Sequence, residues 1–319
     1  MGKTYEGGVP LAEVVRSGFV EGLHRGSVAV LDAAGATVAG AGDGGGPIFP
    51  RSSNKPMQAI GMLRAGLPLT DPADVALVSA SHAGEEFHLE RVAALLRRAG
   101  LDESALHCPP DLPVGDAARE AVLRAGGGPT RIQMNCSGKH TGMLSTCLAA
   151  GWPLNGYWRP DHPLQRRLAA AIEELTGEEA AAVGVDGCGA PVLAVSLTGL
   201  ARAYLRLVSA EPGTVERTVA DAMRTYPELV GGTQADDTRL MRGVPGLLAK
   251  VGAEGVIAAA VPGVGAVALK IDDGAARARM PVLVSALRRL GVDAPVLTEY
   301  ADVPLLGGGL PVGAVRAVW

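Results

Sequence analysis

The sequence predicts a mixed α/β protein in which strand-forming segments at both ends of the chain flank a long helical middle. Three observations predict it. Residues 27–32 and 36–40 alternate around the turn Ala33-Ala34-Gly35. From about Lys55 to Arg242 the apolar residues recur at helical spacing, and after Lys250 the strand pattern returns. If the terminal strands share one antiparallel sheet, the middle is an insertion, and the cleft between the two parts is the natural place for a site. The expected division is a single unit over 1–319, with a sheet-containing part at about 1–55 and 243–319 and a helical part at about 56–242.

The first two strands form an antiparallel hairpin and run into the turn cluster Gly42-Asp43-Gly44-Gly45-Gly46-Pro47. In the middle, Leu89, Val92 and Leu96 precede Gly100, and Leu164, Leu168, Ile172 and Leu175 precede Gly177; each set marks one helix face and its stop. Thr214 caps a helix carrying Val215, Val219 and Met223. Strands follow at 255–261 and 265–271, separated by Pro262-Gly263-Val264, then a helix over 281–290 and a last strand near 312–318.

Composition narrows the function. Apolar residues make up 48% of the 319 and charged residues only 19%, which fits a compact protein and excludes disorder. Only 3% are aromatic and the net charge is −4, so neither stacking platforms nor a basic stripe exists for nucleic acid. No apolar run reaches the length of a membrane span, and the first residues lack a signal-peptide core; a soluble cytoplasmic protein is expected. Four cysteines, at 108, 136, 147 and 188, are too sparse for a disulfide framework and point to reduced thiols or metal ligands.

Four segments concentrate chemistry. In Arg51-Ser52-Ser53-Asn54-Lys55-Pro56, a hydroxyl at 52 and an amine at 55 share a helix face, and a lysine whose charge is disfavoured by burial can activate a serine. Taken alone, the same spacing also describes a capped helix with a solvated lysine. Ser81-His82-Ala83-Gly84-Glu85 is a loop of small and polar groups before the Leu89 helix. Asn135-Cys136-Ser137-Gly138-Lys139-His140 packs a thiol, an amine and an imidazole together. Cys136 and His140, four apart, could hold a metal from one helix face, with Cys188 of Asp186-Gly187-Cys188-Gly189 completing the site; a Cys136–His140 thiol–base pair is the rival use. Lys250-Val251-Gly252-Ala253-Glu254-Gly255 places a lysine beside small residues that let a ligand approach backbone, although a solvated strand-edge lysine reads the same way.

Read together and in this order, these blocks resemble the motif series of the rhizobial-type L-asparaginases along almost the whole chain. That resemblance implies a serine β-lactamase/glutaminase-like fold and a single catalytic unit that hydrolyses L-asparagine to L-aspartate and ammonia. It implies two Ser–Lys pairs, Ser52 with Lys55 and Ser81 with Lys250. It further implies a zinc ion on Cys136, Lys139 and Cys188, which would displace His140 from the ligand set, and a homodimer. Arg51, His82, Asn135, His140 and Asp186 would line or brace the substrate site. In the expected reaction Lys55 takes the proton of Ser52, which attacks the side-chain amide; ammonia leaves and water releases aspartate from an ester. A glutaminase or other serine amidase or β-lactam-interacting hydrolase shares this logic, and a non-catalytic zinc- or amino-acid-binding module is the reading from another class.

Overall fold

The computed structural model describes residues 4–319. Its strands are β1 (Val9–Arg16), β2 (Phe19–Asp32), β3 (Thr37–Ala41), β4 (Pro47–Ile48), β5 (Ala182–Val185), β6 (Pro191–Ser196), β7 (Leu248–Val251), β8 (Val256–Val261), β9 (Gly265–Ile271), β10 (Asp302–Gly307) and β11 (Leu310–Ala317). Helices α1 (Lys55–Arg64), α2 (Pro72–Val78), α3 (Glu86–Arg98), α4 (Asp116–Arg124), α5 (Ser137–Ala150), α6 (Pro163–Thr176), α7 (Leu197–Ser209), α8 (Val215–Thr225), α9 (Pro227–Val230) and α10 (Asp236–Gly243) fill the middle. Helices α11 (Ala276–Arg289) and α12 (Pro295–Ala301) follow the central strands.

The two ends of the chain do share one sheet. Its order is β10-β11-β1-β2-β9-β8-β7, with β3 added alongside β2, and every pairing is antiparallel. The β2–β3 turn forms because the Asp32 carboxylate accepts from the backbone N–H groups of Ala34 and Ala36, while Gly35 supplies the positive φ of 85°. Strands β8 and β9 are buried almost without interruption. Successive side chains point to opposite faces, so an unbroken buried run means that both faces are covered, and α7 and α11 pack against these strands.

Several boundaries differ from expectation. The sheet also contains β1, the first half of β2 and β10, whose irregular mixture of buried, half-buried and exposed positions carries little strand pattern; Pro304 is tolerated because β10 is an edge. The helical middle is not purely helical: β5 and β6 join β4 in a small second sheet. Helix α11 starts at Ala276 and holds Pro281 inside it, giving up one internal hydrogen bond rather than beginning there.

This frame positions the site. Strand β4 delivers the chain to a 3₁₀ turn over Arg51–Asn54 that opens α1. The β5–β6 turn carries Asp186 to Gly189, and β7 carries Lys250. Helix α5 lies tightly on α2 because Gly138 and Gly142 have no side chains there: a Cβ at 138 would stand 2.8 Å from the Leu77 carbonyl oxygen, and one at 142 would stand 2.9 Å from the Val78 side chain.

Candidate active site

Three lysines, Lys55, Lys139 and Lys250, are among the largest fully buried side chains of the protein. Desolvating three ammonium groups in so small a volume is costly unless each finds a partner, and each finds a different kind.

Lys55 opens α1 and donates to Ser81 Oγ at 2.7 Å, to Cys136 Sγ at 3.0 Å and to the Ala80 carbonyl. None of these is a carboxylate. Burial pushes Lys55 below its ordinary value against the pull of the Cys136 thiol, and the nearby Lys139 and Lys250 charges push it the same way. Lys250 instead donates to Asp237 Oδ2 at 2.8 Å and to the Val251 carbonyl at 3.2 Å. The expected pairs are therefore regrouped. Ser81 is bonded to Lys55 rather than Lys250, and the Ser52 hydroxyl makes no hydrogen bond among the described residues.

The reason is the turn. Residues 51–54 wind as 3₁₀, and Arg51 is held at φ 51°, in the left-handed region that costs a non-glycine residue about 1–2 kcal/mol. Bonds that cross the molecule hold it: Arg51 Nε to Asp186 Oδ1 at 2.7 Å, Ser53 Oγ to the Lys250 carbonyl at 2.9 Å, and Tyr204 OH to the Ser53 carbonyl at 2.8 Å. Strand β7 comes close enough only because residue 252 is glycine; a Cβ there would stand 2.5 Å from the Pro50 carbonyl oxygen. Arg51 and Asp186 thus brace the turn that presents Ser52.

Lys139 donates to Cys188 Sγ at 3.1 Å. The neighbouring Cys136, with Lys139 and His140, holds the Cys188 thiol below its ordinary value against the effect of burial. Cys188 and burial raise Cys136, and the two sulfurs, with Asp186, outweigh the burial of Lys139 and raise it. All four cysteines are free and buried. Among the described residues no group of three or more His, Cys, Asp or Glu is arranged to hold a metal, so the Cys136–His140–Cys188 set expected from spacing is not formed. His140 Nδ1 is bonded to Tyr157 OH at 2.7 Å, and its Nε2 is buried without a hydrogen-bond partner. The Cys136–His140 thiol–base pair is not formed either.

His82 is fully buried, bonded through Nε2 to Ser137 Oγ at 2.8 Å and stacked on His88, so it supports the Ser81 loop instead of lining an open face. Asn135 is half-buried; its Oδ1 accepts from Cys136 Sγ and its carbonyl accepts from His82 N–H. Ser52, Ser81, Arg51, Asn135 and Asp186 are half-buried, whereas the three lysines are fully buried.

The family model for L-asparaginase II matches residues 12–317, nearly the whole chain and every residue of this site. The chain belongs to the L-asparaginase II family. No curated protein matches it. Among solved structures, one titled as Mglu in its native form is 16% identical with a TM-score of 0.44, covering 84% of this chain and 63% of its own, so this chain spans under two thirds of that protein. A β-lactamase from Mycobacterium bovis is 18% identical with a TM-score of 0.45, covering 83% of this chain and 94% of its own.

Within this L-asparaginase II family member, sequence reading missed Asp237, Ser53, Tyr204 and Tyr157. Asp237 follows Asp236 at the start of α10, where acidic residues are ordinary complements to the helix dipole, so nothing in the sequence separates it from a surface residue. Glycine 252 did carry a signal, since it lies in the block that begins at Lys250.

Proposed function

We propose that the protein is an L-asparaginase in which Lys55 is the proton acceptor for a serine nucleophile. One observation carries this reading: a fully buried lysine bonded to a serine hydroxyl, with no carboxylate to hold its proton. A lysine so placed is readily neutral, which a general base requires.

Ser52 is the nucleophile in this reading. Its hydroxyl is uncommitted and half-exposed, on a braced turn one residue after the left-handed Arg51. Ser52 Oγ attacks the side-chain carbonyl carbon and its proton passes to Lys55. As the C–N bond breaks, Lys55 returns a proton through Ser81 to the leaving nitrogen, which departs as ammonia. Water then attacks the ester and frees aspartate. Ser81 as nucleophile is the second reading, favoured by its direct bond to Lys55.

Ammonia release from L-asparagine by the wild type, Ser52→Ala, Ser81→Ala and Lys55→Met, with L-glutamine in parallel, tests this, together with mass spectrometry of enzyme quenched during turnover. An aspartyl ester on the Ser52 peptide is expected. An ester on Ser81 moves the nucleophile there, and a fully active Lys55→Met sinks the Ser–Lys reading.

We also propose that Cys136, Lys139 and Cys188 hold a zinc ion. Two thiols and an amine suit a thiophilic cation, and the unpartnered His140 Nε2 leaves one more nitrogen unsatisfied beside them. When bound, zinc would supply positive charge that orients substrate; Lys139 would have to give up its proton to ligate. Metal analysis should find about one zinc per chain in the wild type and a marked loss in Cys188→Ser. Chelation should raise KM for asparagine more than it lowers kcat. The reading extends to a homodimer in the cytoplasm, which sedimentation of the purified protein would test for its first part.

A further inference from the structure

We infer that Glu254 determines specificity at this site: with the free guanidinium nitrogens of Arg51 it forms a clamp for the charged head of an α-amino acid, Glu254 taking the ammonium and Arg51 the carboxylate. The inference deepens the asparaginase reading and rests on it for its kinetic consequences, because there the substrate is such an amino acid.

Backbone strain singles out the pair. Among the described residues only three other than glycine hold a positive φ, and two of them are Arg51 at 51° and Glu254 at 58°. Their side chains face each other, with Arg51 Nη1 3.8 Å from Glu254 Oε1. The turn from β7 to β8 does not itself call for a left-handed glutamate. Gly252 N–H donates to the Val256 carbonyl and leaves a three-residue loop, which ordinarily needs one left-handed position, and Gly255 supplies it at 70°. A second such residue is strained, and its neighbours must hold it. Lys270 Nζ donates to the Glu254 carbonyl at 2.7 Å. The bare Gly274 lets its own turn close on the side chain, since a Cβ there would stand 2.8 Å from Glu254 Oε2.

Both charged groups are uncommitted. Around Lys270 lie the carboxylates of Glu254, Asp272 and Asp273. Asp272 accepts from Tyr5 OH at 2.6 Å and from Gly8 N–H at 2.9 Å; Asp273 is bonded to His24 Nδ1 at 2.6 Å and accepts from Ala275 N–H at 2.9 Å. Glu254 accepts no side-chain hydrogen bond among the described residues and is 63% exposed. Arg51 spends only Nε, on Asp186, and its separation of 3.8 Å from Glu254 is too long for a hydrogen bond.

The clamp stands beside the turn that presents Ser52. Arg51 directly precedes that serine, and Gly252, two residues before Glu254, packs on the same turn at the Pro50 carbonyl. In asparagine a single methylene separates the amide carbon from the α-carbon, so a substrate whose amide meets Ser52 carries its charged head close by. Two free guanidinium nitrogens match a carboxylate, and the Glu254 carboxylate matches an ammonium. Succinamate, which is asparagine without its amino group, offers Glu254 nothing to bind.

The test compares the wild type with Glu254→Gln, Glu254→Asp and Glu254→Gly in the intact chain, by ammonia release from L-asparagine and from succinamate, thermal melts, and calorimetric titration with L-aspartate and succinate. Glu254→Gln should raise KM for asparagine by roughly 10- to 100-fold, the scale of one charge-assisted hydrogen bond, and lower kcat far less. The wild type should prefer asparagine to succinamate in kcat/KM by a similar factor, and that preference should collapse in Glu254→Gln and partly return in Glu254→Asp. Glu254→Gly should share the loss of preference while keeping or raising Tm, because glycine adopts the left-handed turn freely. An unchanged KM for asparagine in Glu254→Gln, equal losses on the two substrates, or a Tm lowered in Glu254→Gly would each overturn the inference, the last by making Glu254 a structural brace. A wild type that releases no ammonia from asparagine would instead overturn the asparaginase reading. Calorimetry then decides the clamp: tighter binding of aspartate than of succinate, lost in Glu254→Gln, supports it, and no preference for aspartate overturns it.

Discussion

The start of α1 and the head of β7 each bury a lysine completely, yet the two surroundings are opposites. Around Lys55 the partners are a hydroxyl, a thiol and a carbonyl; around Lys250 there is a carboxylate with a backbone carbonyl. Burial alone therefore does not give a lysine a role. Its partner does: among uncharged partners Lys55 is pushed below its ordinary value, mainly by burial, whereas Lys250 is paired with a buried carboxylate.

The largest effect expected is on turnover. Lys55→Met should lower kcat for asparagine by about 10³–10⁴-fold, the scale of a lost general base. It should also leave stability unchanged or slightly raised, because a desolvated amine without a counter-charge gives way to an apolar chain of similar length. Steady-state kinetics and a urea melt on the same preparation read both. A Lys55→Met protein that is severely destabilised would show that Lys55 is a structural pillar after all.

Asp237→Ala should behave in the reverse way, costing about 3–5 kcal/mol because it strands a buried ammonium. Chemical denaturation measures this, and replacing both partners with apolar residues should cost clearly less. Equal losses in the single and paired replacements would break the contrast between the two lysines.

Gly252→Ala sharpens the link between the two regions. Its added methyl would meet the Pro50 carbonyl, so the strand or the turn must shift, at about 1–3 kcal/mol, with a fall in kcat as Ser52 moves. A variant with wild-type Tm and kcat would mean that β7 does not set the turn.

Acid should find the Lys55 side first. His82 and His88, behind the Ser81 loop, are held below their ordinary value of 6.5, mainly by burial. The unfolded chain binds those protons more readily, so both histidines are neutral and without effect above about 6.5, and stability falls as pH drops below it, by up to about 1.4 kcal/mol per unit for each. Asp237 sits lower: burial opposes its ionisation, but Lys250 more than offsets this and holds it below 3.8. Its contribution is present above that value and is lost only as pH falls through the folded-state value. Urea midpoints near pH 7.5 and pH 5.5 for the wild type and His88→Gln should show the first slope, and a smaller one in the variant.

Much of this was legible in the sequence. Helices α3, α6 and α8 announce themselves by one buried face and a Gly or Thr at an end, and β8 and β9 by apolar runs split by Pro262-Gly263. Strands β1 and β10 did not: β10 is an exposed edge strand, and β1, although inside the sheet between β11 and β2, has no regular alternation of buried and exposed positions. The site's residues could be found because they come in compact blocks. Their partnerships could not: Ser52 and Lys55 share spacing, but the 3₁₀ winding of that turn sends the amine to Ser81, and Asp237 meets Lys250 only through tertiary packing.

The bond from Ser53 to the Lys250 carbonyl spans 197 positions of sequence. During synthesis the segment around Ser52, with Lys55, Ser81, Cys136 and Lys139, is made long before the strand that closes on it, so this cluster completes late on the folding route. Until then the charged heads and thiols destined for the interior remain in water. A ribosome-bound chain of 200 residues would hold both serines and lack Asp237, Lys250 and the whole of β7.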